Sequence, residues 1–301
     1  MAISKRQLGR ILLALLSLFI HFGCRSFGPP YHLRPSNDRD WIVEHGRIPH
    51  VAFDDNWIHL CNVRDFHHTG KECFHPCYRH ISIDSCSIET VDLFISYPVR
   101  DPSPFAHTFL SFGTKDSEDF YILSVEARRE KGEKYQPIAG MMRKFDLIYV
   151  IATERDMLDQ RAHWNEEKVH RYPIQVEPRH ARSLFVDMLH QVQELETDPQ
   201  FYNTVKNNCT SNLLKHAEEI GNRNFPDRII AIMPGYADRF LQRMNLIDDS
   251  YPIRCLHSYS LINPLVSAYR CDPDFSRRIR GISADDHVAK ASLDPVSALV
   301  R

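Results

Sequence analysis

The chain lacks an excess of charge of either sign. Its 301 residues include 37 basic and 39 acidic side chains, which gives a formal net charge of -2 at pH 7. The basic residues are scattered, whereas a nucleic-acid-binding surface carries clustered Lys and Arg. We therefore expect no nucleic-acid partner.

Long apolar runs are also scarce. Beyond the first 24 residues, no segment approaches the roughly 20 apolar residues that a membrane-spanning helix needs. Internal repeats are absent as well. The 43% apolar and 25% charged residues are typical of an ordinary globular protein, and the length suits one sizeable domain with extensions.

The one apolar run lies near the N-terminus, at residues 11–20. Three basic residues precede it, and Gly23 and Cys24 follow, which is typical of an export signal. A lipoprotein signal would make Cys24 the acylated first residue, although His21 stands where such signals carry an aliphatic side chain. A plain signal peptide and an uncleaved anchor remain alternatives. We thus expect residues 1–24 to be a signal peptide or a membrane or lipid anchor.

The cysteine count agrees with export. With Cys24 and Cys209 set aside, six of the eight cysteines remain, and an even number in an exported protein predicts disulfides. The candidates are Cys61, Cys73, Cys77, Cys86, Cys255 and Cys271. Zinc is the alternative, because Cys73 and Cys77 lie among several histidines. A second compact ligand pair is missing, so we favour disulfides and expect neither a metal nor another cofactor.

Composition divides the rest of the chain into three parts. Residues 25–50 are rich in proline and charge and predict a linker. Residues 51–248 alternate between strand-like and helix-like patterns and predict one α+β domain, with a Cys/His-rich insertion at 67–86. Residues 249–301 are dominated by proline and polar side chains, which predicts a partly disordered C-terminal extension.

Hydrophobic periodicity predicts the elements of this domain. Strands are expected at 57–63, 90–96, 107–112, 120–127, 145–152 and 172–176, with 145–152 apolar enough to be central. Helices are expected at 154–165, at 178–196 and from the N-cap Asn208 to Gly221.

Cys209 is the residue with the clearest chemical potential. It follows Asn208 at the start of a predicted helix, where free N–H groups and the helix dipole favour the thiolate. A thiolate nucleophile needs a base and a group that orients the base. His107 opens one predicted strand, and Glu126 lies toward the end of the next, so the two can meet on one face. Ser124 is a weaker candidate for the orienting group.

The attack of a thiolate on a carbonyl also needs donors for the oxyanion. The backbone N–H of Cys209 offers one donor, and Asn207, Asn208 and Tyr202 are the nearest side-chain candidates. Each residue has a structural alternative. Cys209 can be an inert buried thiol, and Asn208 is explained by N-capping alone.

Several segments resemble a known family. They are Asn62–Phe66, Ala106–Gly113, Ser124–Glu133, Phe201–Asn212 and Pro234–Asp238, and they occur in the expected order. Together they resemble the bacterial envelope family named for the N-terminal periplasmic domain of the lipoprotein N-acyltransferase Lnb. The order of His and Cys is similar to that of circularly permuted papain-like enzymes such as the lecithin–retinol acyltransferase group.

The resemblance implies Cys209 as nucleophile and His107 as base, while the role of Glu126 is inferred from its position. It also implies a circularly permuted papain-like α+β fold with a small antiparallel sheet packed against helices. The enzymes of that group move acyl groups through a thioester. The chain departs from the Lnb type in its 67–86 insertion and in lacking a multi-helix membrane portion.

We therefore expect a thiol enzyme on the periplasmic side of the bacterial envelope, anchored through its N-terminus. It would transfer or hydrolyse acyl groups on lipid-linked substrates. A cysteine peptidase or amidase with a peptide substrate is the first alternative. A disulfide-stabilised interaction module without catalysis is the second.

Overall fold

A computed structural model describes residues 32–115, 119–221, 224–225 and 228–282 of the chain. The signal or anchor predicted for residues 1–24, with Cys24, lies outside this range. Within it, no helix is both long enough and apolar enough to cross a membrane.

The described part of the chain forms ten strands: β1 (His50–Asp54), β2 (Trp57–Arg64), β3 (His67–His68), β4 (Phe74–His75), β5 (Tyr78–Asp84), β6 (Ile88–Tyr97), β7 (His107–Thr114), β8 (Phe120–Arg128), β9 (Asp146–Thr153) and β10 (Lys168–Pro173). Eight of them form the central sheet in the order β1-β2-β9-β8-β7-β6-β10, with β5 paired to β2 outside this path. The short strands β3 and β4 form a separate hairpin-like pair.

The α+β class is confirmed, but the expected small antiparallel sheet is wrong in two respects. The sheet is larger, and it is mixed, because β2 meets β9 in parallel at Arg64 and Ala152. The size was missed because β1 and β5 carry mostly polar or half-exposed side chains, which hide the strand pattern.

Helices cover both faces of the sheet. They are α1 (Pro137–Gly140), α2 (Glu154–Leu158), α3 (Pro178–Thr197), α4 (Cys209–Gly221), α5 (Ala237–Arg243), α6 (Ile253–Ser260), α7 (Asn263–Tyr269) and α8 (Phe275–Arg278). A π-helical segment, Asp159–Trp164, continues α2, and 3-10 turns span Val43–His45, Ser85–Ser87, Arg228–Ala231 and Pro234–Tyr236.

The strands send alternate side chains into two cores. On one face, residues such as Leu93, Leu110 and Leu123 pack against α3, α4 and α5. On the other face, Phe94 and Phe109 pack against α2, α7 and α8. The predicted central strand 145–152 is β9, which is buried on both faces as expected.

One expectation about the second half of the domain needs correction: the strand predicted at 172–176 is β10, which starts at Lys168 and ends at Pro173. In the predicted extension after residue 248, the structure has the helices α6, α7 and α8, and Ile262, Val266, Phe275 and Ile279 pack in the second core. Only residues 283–301 of the predicted extension lie outside the described range.

The segment expected to be a linker contacts the domain from His32 onward, where the imidazole lies 2.8 Å from Glu130. Trp41 is buried, the Ser36 N–H donates to Asp146, and the Asn37 amide donates to two carbonyls at the end of α3. These residues therefore pack as part of the folded body.

The structure contains none of the predicted disulfides. All seven cysteines between residues 32 and 282 are free thiols, and six of them, Cys61, Cys73, Cys77, Cys86, Cys255 and Cys271, were the disulfide candidates. Cys61, Cys86 and Cys255 lie on β2, a 3-10 turn and α6, whereas Cys73 and Cys77 lie in the loops beside β4 and Cys271 lies in the turn after α7.

Candidate active site

Cys209 is the first residue of α4, and its side chain is buried. The helix start is fixed by Asn208, whose Oδ1 accepts a hydrogen bond of 2.8 Å from the Ser211 N–H. The Ser211 hydroxyl oxygen in turn accepts one of 2.8 Å from the Asn208 N–H. This reciprocal pair is a capping-box arrangement. It holds the cysteine where unpaired helical N–H groups point outward.

His107 opens β7, and Ser124 and Glu126 lie on the adjacent β8. The Nε2 atom of His107 is 2.8 Å from Ser124 Oγ and 3.1 Å from Glu126 Oε1. The Ser124 hydroxyl donates to the same Glu126 oxygen at 2.8 Å. Because the serine donates to the carboxylate, its oxygen must accept from the imidazole, which puts a proton on Nε2.

This hydrogen bonding leaves the other ring nitrogen of His107 for the cysteine. The imidazole hydrogen-bonds to the Cys209 thiol, and the Thr108 backbone N–H and the Thr210 hydroxyl lie against the same sulfur. The sheet and the helix start thus bring Cys209, His107 and Glu126 together, although about a hundred residues separate the histidine from the cysteine.

Arg161 completes the cluster. It lies on the π-helical segment, and its guanidinium donates to Glu126 Oε1 at 2.8 Å and to Glu167 Oε2 at 3.3 Å. Burial works against its charge, yet the two carboxylates raise the arginine pKa. The guanidinium therefore holds Glu126 ionised and fixed toward His107.

These contacts shift the pKa values of the pair in opposite directions. Burial raises the pKa of the Cys209 thiol, but the hydrogen bond and charge of His107 outweigh it and lower the pKa from 9.0 to about 7. Burial lowers the pKa of His107, but the Glu126 carboxylate, together with hydrogen bonds to Cys209 and Glu126, outweighs it and raises the pKa to about 9. Near neutral pH, these shifts favour a thiolate–imidazolium pair.

The pair lines a cleft of about 540 Å³. Tyr135 and Tyr202 form part of its wall, with their hydroxyl oxygens 3.5 Å apart. Burial, and then the nearby Cys209, raises the pKa of Tyr202 well above its usual value. Tyr202 therefore stays a neutral donor. A cleft of this size matches the usual range of small-ligand sites.

The amides of Asn207 and Asn208 are occupied by the fold. Asn208 donates from Nδ2 to the carbonyls of Thr204 and Ala231, each at 2.7 Å. Asn207 donates to the Phe201 carbonyl at 2.9 Å and accepts from Asn212 at 2.9 Å. Tyr202, the third predicted oxyanion side chain, lines the cleft, and its hydroxyl lies near that of Tyr135.

Sequence reasoning missed Arg161 and Tyr135. Arg161 lies in a stretch that also carries Asp159 and Glu166, so its charge alone predicts a solvent-exposed side chain on a helix. The signal that was available is the buried face of the predicted helix 154–165, which includes Met157, Leu158 and Ala162.

Among the described residues, two groups of side chains have the composition of a metal site: His32, Glu130 and Glu133, and the more buried Asp101, His170 and His257. In each group the ligand atoms lie within 4.8 Å of one another. In the second group, the two imidazole rings stack at 4.0 Å with 19° between their planes. As the structure stands, the Asp101 carboxylate bridges two histidines by hydrogen bonds of 2.8 and 2.7 Å.

Comparison with known proteins gives one match. The family model described as the Lnb N-terminal periplasmic domain matches residues 77–232, just over half of the chain. This range contains His107, Glu126, Arg161 and Cys209. No curated protein and no solved structure matches significantly.

Proposed function

Because the chain belongs to the Lnb N-terminal periplasmic domain family, we propose that it is a thiol enzyme of the bacterial envelope. Its reaction is the transfer or hydrolysis of an acyl group through a thioester on Cys209. The observation that carries this proposal is the contact of a buried thiol at a helix start with an imidazole held by a carboxylate. A purely structural cysteine has no need of such partners.

In the first half of the reaction, the Cys209 thiolate attacks the carbonyl carbon of the acyl donor. The carbonyl oxygen becomes an oxyanion, with the Cys209 N–H at the helix start and the Tyr202 hydroxyl as its donors. When the tetrahedral intermediate collapses, the bond to the leaving group breaks. The imidazolium of His107 gives its proton to that group, and the acyl group stays on sulfur.

In the second half, neutral His107 takes a proton from the acceptor, which attacks the thioester carbonyl. Collapse releases the acylated acceptor and returns the thiolate beside an imidazolium. An amine acceptor gives acyl transfer, and water gives hydrolysis. Glu126 stabilises the imidazolium throughout, and Arg161 keeps Glu126 from swinging away.

The envelope setting agrees with the periplasmic family. Anchorage through residues 1–24, acylation of Cys24 and a lipid-linked substrate are further parts of this proposal. They rest on the sequence pattern and on the resemblance to Lnb.

The test is covalent trapping of the acyl group. The full chain is incubated with a long-chain p-nitrophenyl ester and, separately, with a peptide p-nitroanilide, and adducts are located by mass spectrometry. We expect an acyl adduct on Cys209 from the ester and none with Cys209→Ala. Cys61→Ala, which removes a half-buried thiol on β2, is the matched control and should behave as the unaltered protein.

Each other outcome has a clear meaning. Faster turnover of the anilide would favour the peptidase alternative with the same cysteine. An adduct on Cys61, or equal labelling of Cys209→Ala, would overturn the assignment of Cys209. If Cys209 reacts with neither substrate while the protein is folded, the enzyme proposal fails, and the alternative of a non-catalytic interaction module is favoured.

A further inference from the structure

The mouth of the cleft is unusually rich in exposed apolar side chains. Among the residues that the structure describes, fourteen large hydrophobic side chains are exposed, and eight of them lie on four short segments around this cleft. The segments are residues 98–105, 134–143, 203–206 and 231–234. Exposed apolar side chains concentrated in one patch mark interaction sites, whereas scattered ones need no explanation.

Two of the segments form one side of the cleft, which we call the first lip. It consists of residues 98–105 and 231–234, which are held together through the next residue, Gly235, whose N–H donates to the Pro104 carbonyl at 3.1 Å. Its exposed side chains are Val99, Phe105 and Ile232, with Val99 95% and Phe105 66% exposed. Phe105 and Ile232 also line the cleft.

The other two segments form the second lip, residues 134–143 and 203–206. The Thr204 hydroxyl donates to the Pro137 carbonyl at 2.7 Å, and Asn203 donates to the Met141 carbonyl at 3.3 Å. The exposed apolar side chains of this lip are Tyr135, Ile138, Met141, Met142 and Val205.

Asn208 ties the two lips to the helix that carries the thiol. Its Nδ2 group donates to the carbonyls of Thr204 in the second lip and Ala231 in the first. Cys209 is the next residue. Both apolar lips therefore adjoin the helix start that carries the thiol, and both contribute residues to the lining of the cleft.

The charges on the lips favour one kind of partner. They carry four exposed basic residues, Arg100, Lys134, Arg143 and Lys206. Their one acidic residue is Asp101, whose carboxylate is hydrogen-bonded to His170 and His257. Apolar side chains surrounded by Lys and Arg are the composition of surfaces that lie in the interface of an anionic bilayer.

We propose that the two lips dock on an anionic lipid bilayer, with the cleft opening toward the headgroups. Phe105, Ile138 and Met142 enter the boundary between headgroups and acyl chains, while the basic residues contact lipid phosphates. Docking itself does not depend on catalysis. Its consequence rests on the proposed function: Cys209 would meet acyl carbonyls of membrane lipids or lipid-linked proteins directly.

Hydrogen exchange on the unaltered full chain tests the docking. Amide exchange is compared without lipid, with vesicles of phosphatidylcholine alone, and with vesicles that also contain phosphatidylglycerol. We expect anionic vesicles to slow exchange in both lips and to leave α6 and α7 unchanged. Those helices carry the exposed Tyr259 and Leu265 and serve as an internal control. Tethering of the protein to vesicles through its N-terminus alone would not protect the lips more than these helices.

Variants then assign the contacts. In the double variant Phe105→Ser and Ile138→Ser, two large apolar side chains no longer enter the bilayer. The lipid concentration that gives half-maximal protection of the lips should therefore rise about tenfold. Tyr259→Ser with Leu265→Ser is the matched control and should change nothing. Arg100→Glu with Lys206→Glu should remove the preference for phosphatidylglycerol.

Three outcomes would overturn the docking surface. They are no protection of the lips, equal protection of α6 and α7, and lip protection that appears without lipid as protein concentration rises, which would indicate a second copy of the chain. Cys209→Ala separates this proposal from the enzyme proposal. If lipid protects the lips but Cys209 does not react with the ester, the docking proposal stands and the enzyme proposal fails. If Cys209 forms a thioester but lipid does not protect the lips, the enzyme proposal stands and the docking proposal fails.

Discussion

The proposed chemistry depends on whether the Cys209 sulfur is protonated, and the pH determines this. Below the pKa of Cys209, about 7, the sulfur is protonated and unreactive. Above the pKa of His107, about 9, the imidazole has lost the proton that the leaving group needs. We therefore predict a bell-shaped rate of ester turnover with limbs near these values, which belong to the pair as a unit.

Glu126 should set the alkaline limb. Its carboxylate raises the pKa of His107, so Glu126→Gln should move that limb to lower pH and reduce the rate at pH 8 by about tenfold or more. Glu167→Gln is the matched control, because Glu167 contacts Arg161 without touching the histidine. A pH profile that Glu126→Gln leaves in place would show that Glu126 does not act through His107.

The sequence allowed only part of this cluster to be foreseen. Cys209 and His107 stand at the starts of elements, where local patterns are clear, and Glu126 follows from pairing adjacent strands. Arg161 was missed, because its partners Glu126 and Glu167 lie on other segments of the chain and meet it only in the folded protein. Likewise, nothing local shows that the amides of Asn207 and Asn208 are bound to backbone carbonyls.

The start of α4 is the element on which the site depends. Asn208 caps this helix and also links it to both lips through the carbonyls of Thr204 and Ala231. Asn208→Ala removes the cap and leaves buried polar groups unpaired, so we predict a loss of about 2–4 kcal/mol in the free energy of unfolding. Urea denaturation followed by circular dichroism measures it.

Asn203→Ala provides the comparison for this prediction. Asn203 also makes side-chain hydrogen bonds to the backbone, but in a more exposed turn of the same loop. We expect a loss of about 1 kcal/mol or less there. Equal losses in the two variants would show that the links from Asn208 across the cleft add no stability.

Elements with a clean apolar period were predicted well, and edge elements were not. The strands from β6 to β9 and the helices α3 and α4 bury one face or both, so their patterns are strong. The edge strand β10 was placed too late in the chain. Its buried His170 is polar, so the run from Lys168 lacks a strand-like alternation of apolar residues.

The molecule as a whole is a sheet covered on both faces, and its C-terminal region supplies part of the second cover. A polar composition hid this role, because α7 and α8 contribute only a few apolar side chains each. What fixes the end of the region is Arg280. Its guanidinium is buried between Asp92 on β6 and Glu154 on α2, with contacts of 2.7 and 2.6 Å.

This buried charge cluster gives the last prediction. Burial disfavours the arginine charge, but Glu154 and Asp92 outweigh it and raise the Arg280 pKa, so the cation is retained. Arg280→Ala would leave two carboxylates close together with less compensation, and we predict a loss of about 3–5 kcal/mol in the free energy of unfolding. Arg278→Ala, which removes a half-exposed ion pair with Asp272, should cost at most about 1 kcal/mol. Urea unfolding of both variants at pH 7 decides it. If Arg280→Ala is no more destabilising than Arg278→Ala, the contacts of Arg280 with Asp92 and Glu154 add no net stability to the fold.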